Sequence, residues 1–144
     1  MLAWRLCRAQ FADLAGEGAR RFGGRWNTPG LPAVYAASSA ALAVLEVRVH
    51  LDLPPELLPD DYVLLSIEFG NLDVELVETI PLAPAEFGDT WLRDQRTPIL
   101  RVPSAIVPES SNLLLNPMHP LAAGARVFAS RPFTFDPRLW LTST

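Results

Sequence analysis

The chain has 144 residues, of which 49% are hydrophobic and 19% charged, and its formal net charge is −4. This length fits one compact domain, and the high hydrophobic content excludes an intrinsically disordered chain. The negative net charge disfavours a nucleic-acid-binding protein, although a local group of arginines could still hold one small anion.

The cysteine and histidine content and the hydropathy narrow the function classes further. Cys7 is the single cysteine, which excludes an internal disulfide and a cysteine-based zinc site and fits a reducing compartment. His50 and His119 are too few for a convincing histidine-based metal site. The chain begins without a signal-peptide-like apolar stretch, and no apolar run is long enough to span a membrane. We therefore expect a cytoplasmic protein that holds no metal and contacts neither membrane nor nucleic acid.

The first part of the chain predicts a strand, a loop, a second strand and a helix. Residues 2–7 alternate weakly between apolar and polar side chains, as an opening strand does. Residues 15–24 are polar and rich in glycine and arginine, which predicts a loop. Residues 33–36 form a short β-like run, and a helix is predicted over 40–51, where a preceding serine can cap it and a pair of prolines ends it.

The rest of the chain predicts short strands, because most of the 14 prolines lie there and they leave little room for long helices. A strand is expected over 62–69, a further one within 72–80, and a short helix over 89–94. Short apolar runs indicate two or three connected strands and then the last strands of the fold, at 99–102, 105–107, 112–115, 126–129 and 132–135. The elements together predict one mixed α+β domain spanning residues 1–144.

Glu46 is the most informative single position in the predicted helix. Its neighbours at three and four residues along the helix are Leu42, Ala43, Val49 and His50, so its carboxylate lies on an almost apolar face. A buried unpaired charge costs several kcal/mol, on the order measured in proteins, so Glu46 either pairs with an arginine, faces a polar cleft or has a raised pKa. A structural ion pair and a functional carboxylate both remain open from this pattern.

The sequence Gly23-Gly24-Arg25-Trp26-Asn27 is the second candidate site. It places a guanidinium, an indole ring and an amide beside two glycines, which suits a phosphate or carboxylate and offers a stacking face. The plain structural alternative is a surface turn with Trp26 packed into the core, and for this motif alone it is at least as good an interpretation. Tyr35, Ser104 and Asn112 are weaker candidates, since each is ordinary in a short strand or a turn.

Several blocks of sequence follow one another in a recognisable order. They are Trp4-Arg5, Gly23-Gly24-Arg25-Trp26-Asn27, Pro32-Ala33-Val34-Tyr35, the helix around Glu46, and the stretches 102–108, 112–120 and 135–139. Over nearly its full length the sequence therefore resembles the RES domain of the Xre/RES type II toxin–antitoxin family. The family's Arg, Glu and Ser match Arg25, Glu46 and Ser104 here.

This resemblance implies a fold like that of ADP-ribosyltransferases, action on NAD and neutralisation by an Xre-type antitoxin that blocks the active site. It also implies roles for the matching residues. Arg25, with Trp26 and Asn27 beside it, would bind NAD; Tyr35 would pack on the nicotinamide side; and Glu46 would orient and polarise the ribose. Ser104 would hydrogen-bond NAD or position Glu46, and Asn112 is a weaker candidate for the same pocket.

The resemblance leaves the acceptor of the reaction open. Water would give hydrolysis of NAD, inorganic phosphate would give phosphorolysis, and a protein side chain would give ADP-ribosylation. NAD degradation is the favoured interpretation, with NAD as a substrate and no cofactor. An ADP-ribosyltransferase toxin that modifies a host protein is the alternative, and so is a catalytically silent RES-like module that only binds its antitoxin or a nucleotide. A homo-oligomer is left open.

Overall fold

Seven strands form one mixed sheet in the computed structural model, which describes residues 1–141. The expected domain extends to residue 144, and residues 142–144 lie outside this described part. In chain order the strands are β1 (Leu2–Arg8), β2 (Val34–Ala37), β3 (Tyr62–Glu68), β4 (Val74–Leu76), β5 (Ile99–Pro103), β6 (Ser111–Leu115) and β7 (Arg126–Pro132). Three helices accompany them: α1 (Glu17–Phe22), α2 (Ala40–Arg48) and α3 (Pro84–Asp94).

The strand order across the sheet is β4-β5-β6-β2-β1-β3-β7. Only β4 and β5 run parallel, and every other neighbouring pair is antiparallel. β1 pairs with β3 along its whole length, from Leu2 opposite Glu68 to Arg8 opposite Tyr62. In contrast, β1 pairs with β2 only where Trp4 faces Ala37. β1 and β2 therefore lie side by side in the sheet but separate along most of their length.

Alternating side chains of the strands supply the core on both faces of the sheet. Leu113 and Leu115 of β6 join the cluster on one face, whereas Leu114 packs on the other face against Trp91 and Leu92 of α3. α2 covers a third cluster, which contains its buried Leu42 and Ala43. Successive side chains of a strand point to opposite faces of the sheet. A strand that is covered on both faces is therefore apolar at consecutive positions, as β6 is at residues 113–115. The predicted α+β class is confirmed.

The predicted helix after β2 is confirmed, and it ends three residues earlier than expected, at Arg48 instead of residue 51. Ser39 is its N-cap, and the Ser39 hydroxyl accepts a hydrogen bond from the Leu42 amide at 3.1 Å. The helix predicted over 89–94 begins earlier, at Pro84, whose fixed φ and missing N–H suit the first turn. No helix in residues 1–141 combines the length and apolar character that crossing a membrane requires.

Two local predictions were wrong, and a third was met with the smaller of its two numbers of strands. The stretch 15–24 was expected to be a loop but contains α1, and its glycines border the helix: Gly16 and Gly23 adopt φ of 74° and 72° on either side of it. Residues 105–107 form no strand and bend at 105–106, so β5 and β6 are two strands of the expected two or three. The two final strands expected at 126–129 and 132–135 are one strand, β7, which ends at Pro132.

Candidate active site

A cavity of about 410 Å³ opens where β1 and β2 diverge. Its walls come from α1 and the loop that follows it, from α2, and from the central strands, and Ala105 and Asn112 close it on the β6 side. The volume lies in the range of small-molecule sites, roughly 300–1,000 Å³. Arg25, Trp26, Tyr35, Glu46 and Asn112 all line this cavity, so the structure brings most of the sequence-predicted candidates together.

Glu46 lies in the last turn of α2 and faces the cavity, half-buried. Its Oε1 accepts a hydrogen bond from the Ser104 hydroxyl at 2.7 Å. Within residues 1–141 no arginine or histidine forms an ion pair with it. Of the alternatives that the sequence left open, the structural ion pair is therefore absent from the described part, and the polar cleft is present.

Ser104 is fully buried behind Glu46 and does not line the cavity. Its hydroxyl donates to Glu46 and accepts the backbone N–H groups of Ile106 and Val107, both at 3.1 Å. These two bonds turn the chain after β5, which is why the apolar run 105–107 bends instead of forming a strand. Because the single hydroxyl proton is committed to Glu46, this placement suits a positioning residue better than a ligand contact.

Replacing Ser104 by alanine tests this positioning. The change leaves Glu46 Oε1 and two backbone amides without their partner. We expect kcat for the NAD cleavage that the family resemblance implies to fall by about 10- to 100-fold and the free energy of unfolding to fall by about 1–3 kcal/mol. Steady-state kinetics and urea denaturation measure the two effects. Ser110→Ala is the matched control, because only the backbone of Ser110 forms hydrogen bonds in this loop. Equal kcat values in the two variants would contradict the assignment.

Arg25 is exposed at the edge of the cavity, and within the described residues it has no carboxylate partner. The loop that carries it passes so close to β2 that a Cβ on Gly24 would lie 2.6 Å from the Tyr35 hydroxyl oxygen. Only glycine fits there without displacing the tyrosine. The guanidinium is therefore free to bind an anion while its backbone is tightly held.

Tyr35 holds this loop through its hydroxyl. The oxygen accepts the Trp26 backbone N–H at 2.9 Å, and the hydroxyl donates to Asn27 Oδ1 at 2.6 Å. Burial is the main reason that the pKa of Tyr35 lies well above its ordinary value, so the hydroxyl keeps its proton throughout the physiological range. Its ring borders the cavity. Tyr35 thus lines the cavity and also fixes the loop of residues 23–28, which we call the arginine loop.

Trp26 and Asn27 lie beneath the loop, each only 2% exposed. The Trp26 ring packs in the core cluster below α3 and meets Phe87 edge-on, with centroids 6.1 Å apart. The Asn27 amide donates to the carbonyls of Ala19, Thr28 and Leu31 and accepts from Tyr35. Trp26 borders the cavity, but both side chains are so little exposed that direct NAD contacts, which stay a prediction, have little surface to use. These placements fit the structural alternative, a turn anchored by a buried tryptophan.

Arg5 is a cavity residue to which the sequence reasoning gave no role, although it lies in the first block of the family resemblance. Its Nη1 donates to the Tyr35 carbonyl at 3.0 Å across the gap between β1 and β2. Its Nε is buried and has no hydrogen-bond acceptor within residues 1–141. A buried N–H without an acceptor is rare in proteins, which makes Arg5 an unusual residue of this cavity. The alternation of β1 offered no signal for this, since Arg5 is an ordinary polar position there.

His50 and Asn112 complete the polar lining of the cavity. His50 follows Glu46 by one helical turn and is exposed. The Asn112 Nδ2 donates to the Ala36 carbonyl at 3.4 Å, which is long for a hydrogen bond. Among residues 1–141 no group of three or more histidine, cysteine or carboxylate side chains could hold a metal ion.

Comparison with known proteins shows which family this chain belongs to. The RES domain model matches residues 2–136. The chain belongs to the RES family. This RES protein is 47% identical over 139 residues to the Prs ADP-ribosylating toxin of Sphingobium sp., a match that covers 88% of this chain and 86% of the relative. It is 40% identical to the Toxin Res of Pseudomonas putida, across 97% of this chain and all of the relative.

A solved structure extends the likeness to the fold. The RES protein matches a chain of the crystal structure of the M. tuberculosis MbcT–MbcA toxin–antitoxin complex with a TM-score of 0.77 and 26% identity, covering 96% of this chain and 85% of the other. The M. tuberculosis NAD(+) phosphorylase MbcT is 66% identical to it over 36 residues, which are 24% of this chain and 19% of that protein. The expected ADP-ribosyltransferase-like fold of a single domain is confirmed by this likeness.

Proposed function

We propose that this RES protein is the toxin of a toxin–antitoxin pair and destroys NAD by cleaving its nicotinamide–ribose bond. One observation carries the proposal: a carboxylate fixed by a buried serine faces a cavity whose only other charged lining groups, within the described residues, are two arginines without carboxylate partners. This arrangement suits a ligand that carries negative charge at one end and develops positive charge at the other.

The two arginines account for binding. NAD carries a diphosphate, and guanidinium groups bind phosphate oxygens through paired N–H donors. Arg25 at the cavity edge would take one phosphate. Arg5, which also lines the cavity, would take a second phosphate or a ribose oxygen through the guanidinium. The apolar side chains of Trp4, Leu6 and Val47 leave a surface for the flat nicotinamide ring.

Glu46 accounts for the chemistry. When the bond between the ribose C1′ and the nicotinamide nitrogen breaks, its electron pair leaves with nicotinamide and neutralises the positive pyridinium ring. The ribose is left with oxocarbenium character, which a nearby carboxylate stabilises, as carboxylates do in glycoside hydrolysis. Ser104 holds one oxygen of Glu46, so the other is directed to the ribose. An acceptor then forms the new bond to C1′ and gives up its proton.

The acceptor separates two candidate functions. Phosphorolysis or hydrolysis gives NAD degradation, in keeping with the name of the NAD(+) phosphorylase MbcT. Transfer to a protein side chain is the second candidate, and the 47% identity with the Prs ADP-ribosylating toxin favours it specifically. Both candidates share the bond-breaking step at Glu46. They differ only in what enters the cavity after nicotinamide has left.

The partner that restrains this activity would be an antitoxin. The structurally similar chain comes from a toxin–antitoxin complex, and exposed apolar side chains lie near the cavity at Phe22 and Val49. We expect the antitoxin to be of the Xre type and to cover the cavity. The site of action would be the cytoplasm, where NAD is abundant. Residues 1–144 would form the whole RES domain.

Nicotinamide release from NAD by the purified protein tests the proposal. The reaction is run in phosphate-free buffer, with inorganic phosphate, and with Prs as a protein acceptor, and a protein carrying Glu46→Gln serves as the blank. Release in buffer alone indicates hydrolysis, phosphate-dependent release indicates phosphorolysis, and ADP-ribose on Prs indicates transfer. A folded wild-type protein that releases no nicotinamide in any of the three would contradict the proposal.

A further inference from the structure

Helix α3 touches the arginine loop through three consecutive residues. Phe87 packs on the Trp26 ring, Gly88 lies against the Trp26 backbone, and Asp89 reaches Thr28. α3 supplies no lining residue to the cavity. The helix therefore supports the loop without lining the cavity itself.

Asp89 is the unusual member of this contact. Its side chain is only 5% exposed, yet it forms no ion pair within residues 1–141. One carboxylate oxygen accepts the Thr28 backbone N–H at 2.9 Å, and the other accepts the Thr28 hydroxyl at 2.7 Å. Burying a carboxylate is costly, and hydrogen bonds to a charged acceptor are the strong ones that offset the cost. Both hydrogen bonds that Asp89 accepts within the described residues therefore come from Thr28 in the loop.

The same loop is held from the opposite side by Tyr35, which binds the Trp26 amide and the Asn27 side chain. Arg25 stands next to these anchored residues and has no protein partner of its own within the described residues. Its position is therefore set by the backbone alone. A loop clamped at residues 26–28 presents the guanidinium in one place and limits the ordering that substrate binding must impose.

We propose that Asp89 is a positioning residue that fixes the Arg25 loop for substrate binding through its two hydrogen bonds to Thr28. This inference rests on the proposed NAD-cleaving function for its kinetic consequence, although the hold on the loop is independent of it. Asp89 acts at a distance, so its loss weakens the binding of NAD more than it slows bond cleavage. The Glu46 side of the cavity, fixed by Ser104, stays in place.

Asp89→Ala removes both bonds, and we expect KM for NAD to rise about tenfold or more with a smaller change in kcat, as misplaced substrate-positioning groups do. Asp89→Asn retains the shape, an acceptor for the Thr28 amide and a donor for its hydroxyl, and should restore most of the affinity. Thr28→Val removes the hydroxyl bond alone and should give an intermediate KM. Asp94→Ala is the matched control, because it removes an exposed carboxylate from the same helix.

A second readout separates this inference from the proposed function. Hydrogen exchange at the Thr28 and Trp26 amides reports the hold on the loop without any substrate, and we expect Asp89→Ala to accelerate it at least tenfold while Asp94→Ala does not. Unchanged exchange would overturn the inference, even in an active enzyme. A KM of Asp89→Ala within twofold of wild type would also overturn it. So would activities of Asp89→Ala and Asp89→Asn that fall only in proportion to the loss of melting temperature. If wild type consumes no NAD, the proposed function fails and exchange alone decides.

Discussion

Replacing Glu46 by glutamine should lower kcat for nicotinamide release by on the order of 10³-fold while the protein stays folded. Glutamine keeps the length of the side chain and an oxygen that can accept the Ser104 hydroxyl, so the 2.7 Å hydrogen bond has a counterpart in the variant. What disappears is the negative charge beside the developing oxocarbenium ion. KM should change little, because the binding of the diphosphate depends on the arginines.

Single-turnover and steady-state nicotinamide release measure this effect, and circular dichroism checks the fold. Glu109→Gln is the matched control, because Glu109 is exposed in the loop after Ser104 and does not line the cavity. The toxicity of the expressed protein should disappear with Glu46→Gln and persist with Glu109→Gln. A folded Glu46→Gln protein with at least a tenth of the wild-type kcat would remove Glu46 from its catalytic role.

The main features of the fold follow from local patterns that the sequence displays. β1, β2 and α2 were predicted in the right order because their hydrophobic periods and the serine cap are local signals. Glu46 stood out for the same reason, as a carboxylate on an apolar helix face. α1 was missed because the glycines that border it resemble loop glycines, and only their positive φ values distinguish helix boundaries from a flexible stretch.

The candidate site could be predicted only in part, because its geometry depends on contacts between distant segments. Arg5 enters the cavity where β1 separates from β2, and the separation cannot be read from either strand alone. Ser104 was named as a ligand contact or a positioning residue, and only its burial distinguishes the two. The sequence gives no sign of a role for Asp89, since a carboxylate in a short helix is ordinary until its partner, 61 residues away along the chain, is known.

Gly88→Ala should destabilise the protein, although it adds only one methyl group to α3. A Cβ at this position would lie 1.7 Å from the Trp26 carbonyl oxygen and 2.7 Å from its carbonyl carbon, so the helix or the loop backbone must move. Alanine favours a helix over glycine by about 1 kcal/mol. Overpacking costs roughly 1–3 kcal/mol and occasionally more. An approach of 1.7 Å to backbone belongs at the upper end of that range, so we expect a net loss of about 2 kcal/mol.

Urea denaturation and thermal melting measure the change, and a loss of this size should lower Tm by about 5–10 °C. Gly18→Ala in α1 is the matched control: its Cβ would contact Phe11 at 3.6 Å, an ordinary van der Waals distance, so we expect a gain of about 0.5–1 kcal/mol. The same substitution should thus have opposite signs in the two helices. The displaced Trp26 backbone adjoins Arg25, so the remaining folded Gly88→Ala protein should also bind NAD more weakly. A Gly88→Ala protein with the wild-type Tm would show that α3 and the arginine loop are not packed closely enough for the helix to fix Arg25.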